Sequence, residues 1–296
     1  MPRSGTTFFT HLINSSTKYS SYKYKDLPFY TTPILWNYFS PFFYGNKKKI
    51  ERKHGDGLLI DKYSPDSFEE LIWKQLIPDY EKNGYWQYLN ENSNVKLEKI
   101  ELFIKKVIHI YKKKDYLSKN NNNVFRINYI LNKIPNSKVI IVIRNPLDTA
   151  ISLSKIHLRF LKIHKKNNLF SEELKYLGHF EFGYYRKLFK LCGNNLKKNG
   201  NQVKLYLKKC EELNSFIIKK YLHQIENNKV VVVNYDNLKN FEHLIRLFEN
   251  LNIDQLDMMK KFFEKNFIMK RKKKINLKEY REYFKSFDLL KKFSII

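Results

Sequence analysis

The chain has 296 residues, which is enough for one large domain with a substantial core, and no segment has the composition of a linker. Its formal net charge is +27, from 56 basic and 29 acidic residues, and no apolar stretch approaches the roughly 20 residues that a membrane-spanning helix needs. These properties predict a single domain over residues 1–296 and argue against a transmembrane protein.

The charge raises the question of nucleic-acid binding, because lysine and arginine contacts to phosphate dominate that kind of interface. Only nine of the 56 basic residues are arginine, and the basic runs are scattered, at residues 47–49, 112–114 and 270–274. This pattern is more typical of an AT-rich coding sequence than of a dedicated nucleic-acid interface, which needs aromatic side chains within one basic face. A basic surface would still steer anionic substrates toward a cleft.

The chain opens on a turn of small residues, Pro2-Arg3-Ser4-Gly5-Thr6-Thr7, and a helix is predicted from Thr6 through Ile13. Free N–H groups at the start of such a helix attract an anion, as they do in the P-loop. Aligning Gly5-Thr6-Thr7 with the P-loop sequence Gly-Lys-Ser/Thr puts Thr6 where the lysine belongs. Arg3 is then the one cation of this turn, which argues against an ordinary magnesium–nucleoside triphosphate as the ligand.

Shorter elements are expected in the next part of the chain. Hydrophobic spacing and breaker residues predict a short strand over 22–29 and helices over 31–39, 66–77, 96–117 and 125–134. The third of these helices has apolar residues three and four positions apart, which is typical of core packing. Asp66 followed by Glu69 suggests a capping box that opens the helix at 66–77.

A run of β-branched residues, Val139–Ile143, is apolar on both faces and so predicts a central strand of a parallel sheet. Arg144 stands at its carboxyl end, Pro146 suits the first turn of a helix, and Ser152 lies two turns along. Ligands of open α/β sheets bind at the carboxyl ends of strands, so Arg144 and Ser152 can hold one phosphate together. A further strand begins at Val230. The alternation of helices and strands predicts a helix-rich, three-layer α/β fold with a parallel central sheet flanked by helices.

At these residues the sequence resembles the sulfotransferase family, whose members move a sulfuryl group from 3′-phosphoadenosine 5′-phosphosulfate (PAPS) to a hydroxyl or amine. The family carries a PRSGTT-like loop and an R-D/N-P-x-x-x-x-x-S stretch, and both are present here, from Pro2 and from Arg144. VVVVNYDNL from Val230 is similar to a late strand of the family, and the segment from His54 through SPDSFEELIW is similar to bacterial members. The resemblance implies a P-loop-like nucleotide-binding fold.

The resemblance also implies roles for particular residues. Arg3 and the segment Ser4, Gly5, Thr6 and Thr7 would bind the 5′-phosphosulfate, with Arg3 also stabilising charge on the bridging oxygen. Arg144 and Ser152 would bind the 3′-phosphate. Lys119 stands where many members have a lysine upstream of that arginine, and a solvated lysine at a helix end is the alternative.

The general base is left open between His54, the carboxylates Glu69 and Glu70, and another residue. We expect metal-free transfer, and Cys192 and Cys210 have no metal-ligand spacing and fit reduced thiols of a cytoplasmic protein. The acceptor is expected to be a small molecule, a carbohydrate or a lipid.

Two other functions compete with sulfuryl transfer. A P-loop kinase or another NTP-binding protein would need a lysine at position 6 and an acidic strand end that holds magnesium, and neither is found. The second is the basic nucleic-acid binder considered above. Compared with the family, the strand that precedes the loop is expected to be missing before residue 1, which predicts a less stable protein.

Overall fold

A computed structural model of the chain describes residues 2–44, 49–80, 87–187, 201–253, 255–267 and 278–295. Cys192, the basic run at 270–274 and most of the run at 47–49 lie outside the described residues. Within the described part, no helix is both long enough and apolar enough to cross a membrane.

The described residues form a helix-rich α/β fold. The strands are β1 (Tyr19–Ser20), β2 (Ile50–Glu51), β3 (Leu59–Ile60), β4 (Asp115–Tyr116), β5 (Val139–Ile143) and β6 (Val230–Asn234). The α-helices are α1 (Thr6–Asn14), α2 (Pro33–Phe43), α3 (Glu70–Leu76), α4 (Leu97–Tyr111), α5 (Ile127–Lys133), α6 (Pro146–Lys166), α7 (Leu169–Tyr176), α8 (Gln202–Glu226), α9 (Ile245–Asn250), α10 (Leu256–Asn266) and α11 (Lys285–Lys292). Short 3₁₀ helices cover Tyr24–Phe29, Asn121–Phe125, Tyr235–Asn237, Glu242–Leu244 and Lys278–Phe284.

The longest strands, β5 and β6, pair in parallel with Val139 opposite Val230 and Ile143 opposite Asn234. Both are runs of β-branched residues, which pack well on a pleated surface covered on both sides. Ile141 and Ile143 belong to a large core shared with α3, α4, α6 and α8. Val142 faces a second core, formed with α1, α9 and α10. This strand pair is therefore buried on both faces.

The predicted parallel sheet is present only as separate pieces. Among the described residues, β1 pairs in parallel with β4, β5 with β6, and β2 with β3 in antiparallel fashion, and each sheet has two strands. A cavity of about 1030 Å³ lies between the β1–β4 pair and the β5–β6 pair. The structure thus supports a helix-rich α/β fold with small parallel sheets.

Several sequence predictions hold closely at β5 and α6. The strand covers the predicted residues, and the helix begins at Pro146 with the Asn145 side chain accepting hydrogen bonds from the N–H groups of Leu147 and Asp148. Asn145 is thus the N-cap residue, a role that asparagine side chains favour.

Other element predictions were wrong. Within the segment predicted as a strand over 22–29, Tyr24–Phe29 form a 3₁₀ helix, because Asp26 accepts a hydrogen bond from the N–H of Lys23 and Pro28 cannot donate to a sheet. The helix predicted over 96–117 ends at Tyr111, where Lys112 adopts a left-handed conformation with φ of 50°. Asp66 does not cap α3, which begins at Glu70; the Asp66 carboxylate binds Lys119 instead.

Candidate functional site

The turn that precedes α1 has a conformation that only glycine tolerates at one position. Gly5 has φ of 98°, in the left-handed region, and a Cβ atom placed there would lie 2.3 Å from the Tyr235 ring. The ring thus closes over the turn from the carboxyl end of β6. This close approach explains why the turn contains glycine at position 5.

The side chain of Arg3 connects the turn to two distant segments. Its Nε donates a hydrogen bond to Ser152 Oγ on α6 at 3.0 Å, and Nη1 donates to Asp56 Oδ2 at 2.7 Å. Arg144 donates from Nη1 to the carbonyl oxygen of Arg3 at 3.3 Å. The structure therefore brings Arg3, Arg144 and Ser152 together at the carboxyl end of β5.

Arg144 is held against the end of β6. Its Nε lies 4.0 Å from Asp236 Oδ1, and its guanidinium lies 5.5 Å from the centre of the Tyr235 ring. Asp236 also accepts a hydrogen bond from the backbone N–H of Asn145. Among the described residues, the buried Nε of Arg144 has no hydrogen-bond partner. A buried guanidinium N–H without an acceptor fits a ligand that supplies an anionic oxygen.

Asp56 forms the centre of a charge cluster that the sequence did not predict. Its carboxylate binds both Arg3 and Arg52, the latter through Nε at 3.1 Å to each oxygen. Burial alone would raise the pKa of Asp56, but the hydrogen bonds and charges of Arg52 and Arg3 hold it well below its usual range. The one signal in the sequence is the position of Asp56 between Gly55 and Gly57, which marks irregular backbone.

Lys119 and Asp66 form a second ion pair. Lys119 Nζ donates to Asp66 Oδ1 at 2.7 Å, and the hydroxyl of Tyr24 donates to Oδ2 at 2.9 Å. Burial opposes the charged form of Asp66, yet the charges of Lys119 and Arg52 keep its pKa well below the usual range. Both side chains are about nine-tenths buried, with exposures of 10% and 11%. Lys119 is therefore not a solvated lysine at a helix end.

Glu70 is enclosed by hydrogen-bond donors. Arg126 binds it with two nitrogen atoms, at 2.9 Å and 2.6 Å, and Tyr80 and Asn120 also donate to its carboxylate. Burial would raise the pKa of Glu70, but the charge of Arg126 outweighs burial and lowers it. A carboxylate stabilised in this way is a weak proton acceptor.

Glu69 is surrounded by neutral donors. Its Oε1 accepts from the indole of Trp73 at 3.0 Å and from Asn123 at 3.2 Å, and its Oε2 accepts from the hydroxyl of Tyr116 at 2.8 Å. The side chain lines the cavity together with Thr6 and Lys119. Of the two predicted carboxylates, Glu69 is therefore the one that lines this cavity.

His54 packs between two aromatic rings, 5.3 Å from the centre of Phe160 and 5.7 Å from that of Phe182. Burial and the nearby charge of Arg52 lower the pKa of His54 to about 3. The imidazole is therefore neutral at physiological pH and a weak base.

Two histidines that no sequence motif indicates lie near the Lys119–Asp66 pair. Burial lowers the pKa of His11 to about 4, and its Nε2 is buried without a hydrogen-bond partner among the described residues. His179 Nδ1 lies 3.8 Å from Glu181 Oε2. Burial opposes protonation of His179, but the hydrogen bond and charge of Glu181 raise its pKa. Neither histidine belongs to a local motif, so spacing along the chain gave no signal for them.

Comparison with protein-family models gives a match. The family model described as Sulfotransferase family matches residues 1–189, which is more than half of the chain and includes the turn, Lys119, Arg144 and Ser152. No curated protein and no solved structure matches the chain significantly.

Proposed function

Because this chain belongs to the sulfotransferase family, we propose that it transfers a sulfuryl group from PAPS to a hydroxyl or amine acceptor. The observation that carries the proposal is the convergence of Arg3, Arg144 and Ser152 on one turn, although they are far apart in the sequence. Guanidinium groups and a hydroxyl around a helix start suit a ligand with two separated anionic groups.

In this proposal the turn binds the phosphosulfate end of the donor. The backbone of Ser4, Gly5, Thr6 and Thr7 presents N–H groups at the start of α1, and Gly5 allows the close approach. Arg3 provides a cation beside these groups, oriented by Asp56 and Ser152. The bond between sulfur and the bridging oxygen breaks while sulfur bonds to the acceptor, and Arg3 stabilises the charge left on that oxygen.

The 3′-phosphate is assigned to Arg144 and Ser152. The unpartnered Nε of Arg144 supports this assignment, because a phosphate oxygen would give this buried N–H an acceptor. Asp236 and Tyr235 position Arg144 from the side of β6. Lys119 is proposed to stabilise transferring charge, oriented by Asp66.

The acceptor proton must pass to a base. Among the residues proposed from the sequence, Glu70 is neutralised by Arg126 and His54 is a weak base. Glu69 lines the same cavity as Thr6 and Lys119, and the hydrogen bonds to its carboxylate come from the neutral donors of Trp73, Asn123 and Tyr116. We therefore assign the base to Glu69.

We further propose that the two parallel strand pairs are parts of one P-loop-like central sheet in a single domain over residues 1–296, flanked by helices on both sides. The double-sided burial of β5 supports this arrangement. We propose a cytoplasmic protein that acts on a small-molecule, carbohydrate or lipid acceptor. Burial raises the pKa of the Cys210 thiol to about 12, which fits a reduced, unreactive cysteine.

Thermal-shift assays with 3′-phosphoadenosine 5′-phosphate (PAP), magnesium-ATP and duplex DNA test this function. We expect PAP to raise the Tm of the wild-type protein and of Arg246→Ala, whose arginine is exposed on α9, but not of Arg144→Ala. Incubation with labelled PAPS and cell extract, followed by mass spectrometry, should then show a sulfated product. Stabilisation by magnesium-ATP alone, or by DNA alone, would favour the competing functions.

A further inference from the structure

The helix α2 turns its apolar side away from the rest of the protein. Pro33 and Ser40 are buried and Trp36 and Asn37 are half-buried, so these residues mark the face that packs on the molecule. The opposite face carries large apolar side chains at a spacing of three and four residues, namely Leu35, Tyr38, Phe39 and Phe42. A surface helix normally directs such a face toward the core, so the orientation of α2 is the reverse of the usual one.

The outward side chains form one exposed surface, which we call the α2 surface and which consists of Phe29 and the exposed apolar residues of α2. Tyr38 and Phe42 are 80% and 84% exposed, and Phe29 and Phe43 are more than half exposed. The rings of Phe29 and Phe43 both contact Trp36, at centre distances of 4.8 Å and 5.3 Å, which makes the surface continuous. Soluble monomers rarely expose an apolar patch larger than a few hundred Å², and larger patches mark interaction sites.

Lysines surround the α2 surface, although the segment itself carries no charge. Residues 29–44 include no acidic and no basic residue. Three lysines donate from Nζ to uncharged oxygen atoms along this segment: Lys106 to Thr31 O at 3.0 Å, Lys25 to Asn37 Oδ1 at 2.6 Å, and Lys62 to Tyr44 O at 2.7 Å. Ammonium groups therefore lie beside the start, the middle and the end of the helix.

The combination of apolar rings and lysines determines which partner fits. A second copy of the chain would bring the two sets of lysines and two net charges of +27 together, which opposes association. An anionic bilayer matches both features, because its headgroups attract lysines and its acyl boundary receives aromatic and aliphatic side chains. With 11 residues, α2 is too short to span a bilayer, and an apolar helix of this length outside a core suits the bilayer interface.

We propose that the α2 surface inserts into the interface of an anionic phospholipid bilayer, with α2 parallel to the membrane plane and its lysines at the level of the headgroups. The outward rings enter the acyl boundary, while the inner face remains packed on α4 and on the 3₁₀ helix Tyr24–Phe29. The protein thus binds the membrane peripherally, through buried apolar area and lysine attraction together. This attachment goes beyond the proposed function and does not depend on it.

Sedimentation of the unaltered chain with lipid vesicles tests the choice of partner. One set of vesicles is pure phosphatidylcholine, and the other contains about one-third phosphatidylserine. We expect at least about tenfold tighter binding to the anionic vesicles, because several lysines lie near the headgroups, and we expect added salt to reduce this difference. Equal affinity for the two sets of vesicles, or binding to neither, would overturn the proposal.

Two variants locate the contact on the protein. Phe42→Ala removes an inserted ring without changing the charge and should weaken binding to the anionic vesicles by about tenfold or more. Met258→Ala is the matched control, because Met258 is also exposed but belongs to α10, which packs on the second core, and this variant should retain full affinity. Both changes lie at exposed positions, so the Tm of each variant should equal that of the wild type.

Two results would contradict the role of α2. The first is equal vesicle affinity of Phe42→Ala and Met258→Ala, which would show that the rings do not insert. The second is a dimer, detected by light scattering without lipid, that Phe42→Ala dissociates while no vesicles are bound, since the α2 surface would then bind a second copy. Neither result bears on PAP binding, so failure of this proposal and failure of the proposed function are distinguishable.

Discussion

Arg3 and Ser152 are hydrogen-bonded at 3.0 Å although 149 positions separate them in the chain. The bond joins the turn before α1 to the second turn of α6. Both residues belong to motifs that resemble one family, and their contact brings these two motifs together in the structure.

Replacing Ser152 by alanine tests this contact. The change removes the acceptor of Arg3 Nε and, in the proposed function, a donor to the 3′-phosphate. We expect roughly a tenfold or greater loss of PAP affinity by calorimetry, because a hydrogen bond to a charged group contributes about 1.5–3 kcal/mol. Ser294→Ala, which removes an exposed hydroxyl bound to Lys291 O, should retain full affinity. Equal affinities for the two variants would contradict the assignment of Ser152.

Gly5→Ala should lower the free energy of unfolding more than Gly57→Ala does. Both glycines have positive φ, of 98° and 79°, so both substitutions strain the backbone by about 1–2 kcal/mol. Only at Gly5 does the new methyl group meet a ring, since nothing lies within 4 Å of a Cβ at Gly57. Urea unfolding measures the difference, and adding Tyr235→Ala to Gly5→Ala should recover part of the loss. A similar cost at both glycines would show that the ring contact has no effect on stability.

The Glu70–Arg126 pair should contribute to stability rather than to proton transfer. Glu70→Gln leaves a buried guanidinium without its charge partner, so we expect a loss of about 3–5 kcal/mol in the free energy of unfolding. The exposed pair Lys53–Glu173 serves as control, and Glu173→Gln should cost less than about 1 kcal/mol. If Glu70→Gln abolished transfer without changing stability, Glu70 would have to be considered as the base.

The pH dependence of transfer distinguishes the histidines from each other. A base must be unprotonated to act, so the rate rises with pH through the pKa of the base. With His54 as base this rise would be centred at about 3, and with His179 it would lie above the ordinary value of 6.5. We assign the base to Glu69, so the Glu69→Gln variant should lose transfer while retaining PAP binding. A rate limb above pH 6.5 that disappears in His179→Gln would contradict this assignment.

Acid should destabilise the protein in two stages. Burial lowers the pKa values of His11 and of His157, which lies on α6, to about 4 and that of His54 to about 3, so the unfolded chain takes up protons at these sites first, starting near 6.5. Stability therefore falls as the pH decreases from about 6.5. Below about 4, Asp56 and Asp66 add to the loss, because they stay ionised in the folded state.

Urea unfolding at a series of pH values measures this dependence. Between pH 6 and pH 4, the unfolding free energy of His54→Gln should depend less steeply on pH than that of the wild type. The difference in slope should correspond to the uptake of about one proton fewer on unfolding. An unchanged slope in this variant would show that His54 titrates normally in the folded protein.

The sequence predicted local structure well where one physical cause dominates. β5 is a run of β-branched residues buried on both faces, and α6 begins after an asparagine and with a proline, so both were found at their observed positions. The segment at 22–29 was misjudged because its alternating aromatics suggest a strand, whereas the Asp26 bond to Lys23 favours a tight turn.

The site was predictable only in part, for a related reason. Arg3, Arg144 and Ser152 lie within short motifs, whereas Asp56 and Asp66 gain their positions from ion pairs between distant segments. The Asp66–Lys119 pair spans 53 positions and has no local signature. Because Asp66 binds Lys119, it does not serve as the helix cap that the local pattern suggested.

Asn145 makes hydrogen bonds through both its side chain and its backbone, and together these bonds determine how the two halves of the site can move relative to each other. Its side chain begins the helix that carries Ser152, while its backbone N–H binds the carboxylate that faces Arg144. A displacement of α6 would therefore carry Arg144, Asp236 and Ser152 with it. A movement of the Pro2–Gly5 turn would then be needed to accommodate ligands of different length, because Arg3 of this turn contacts both halves of the site.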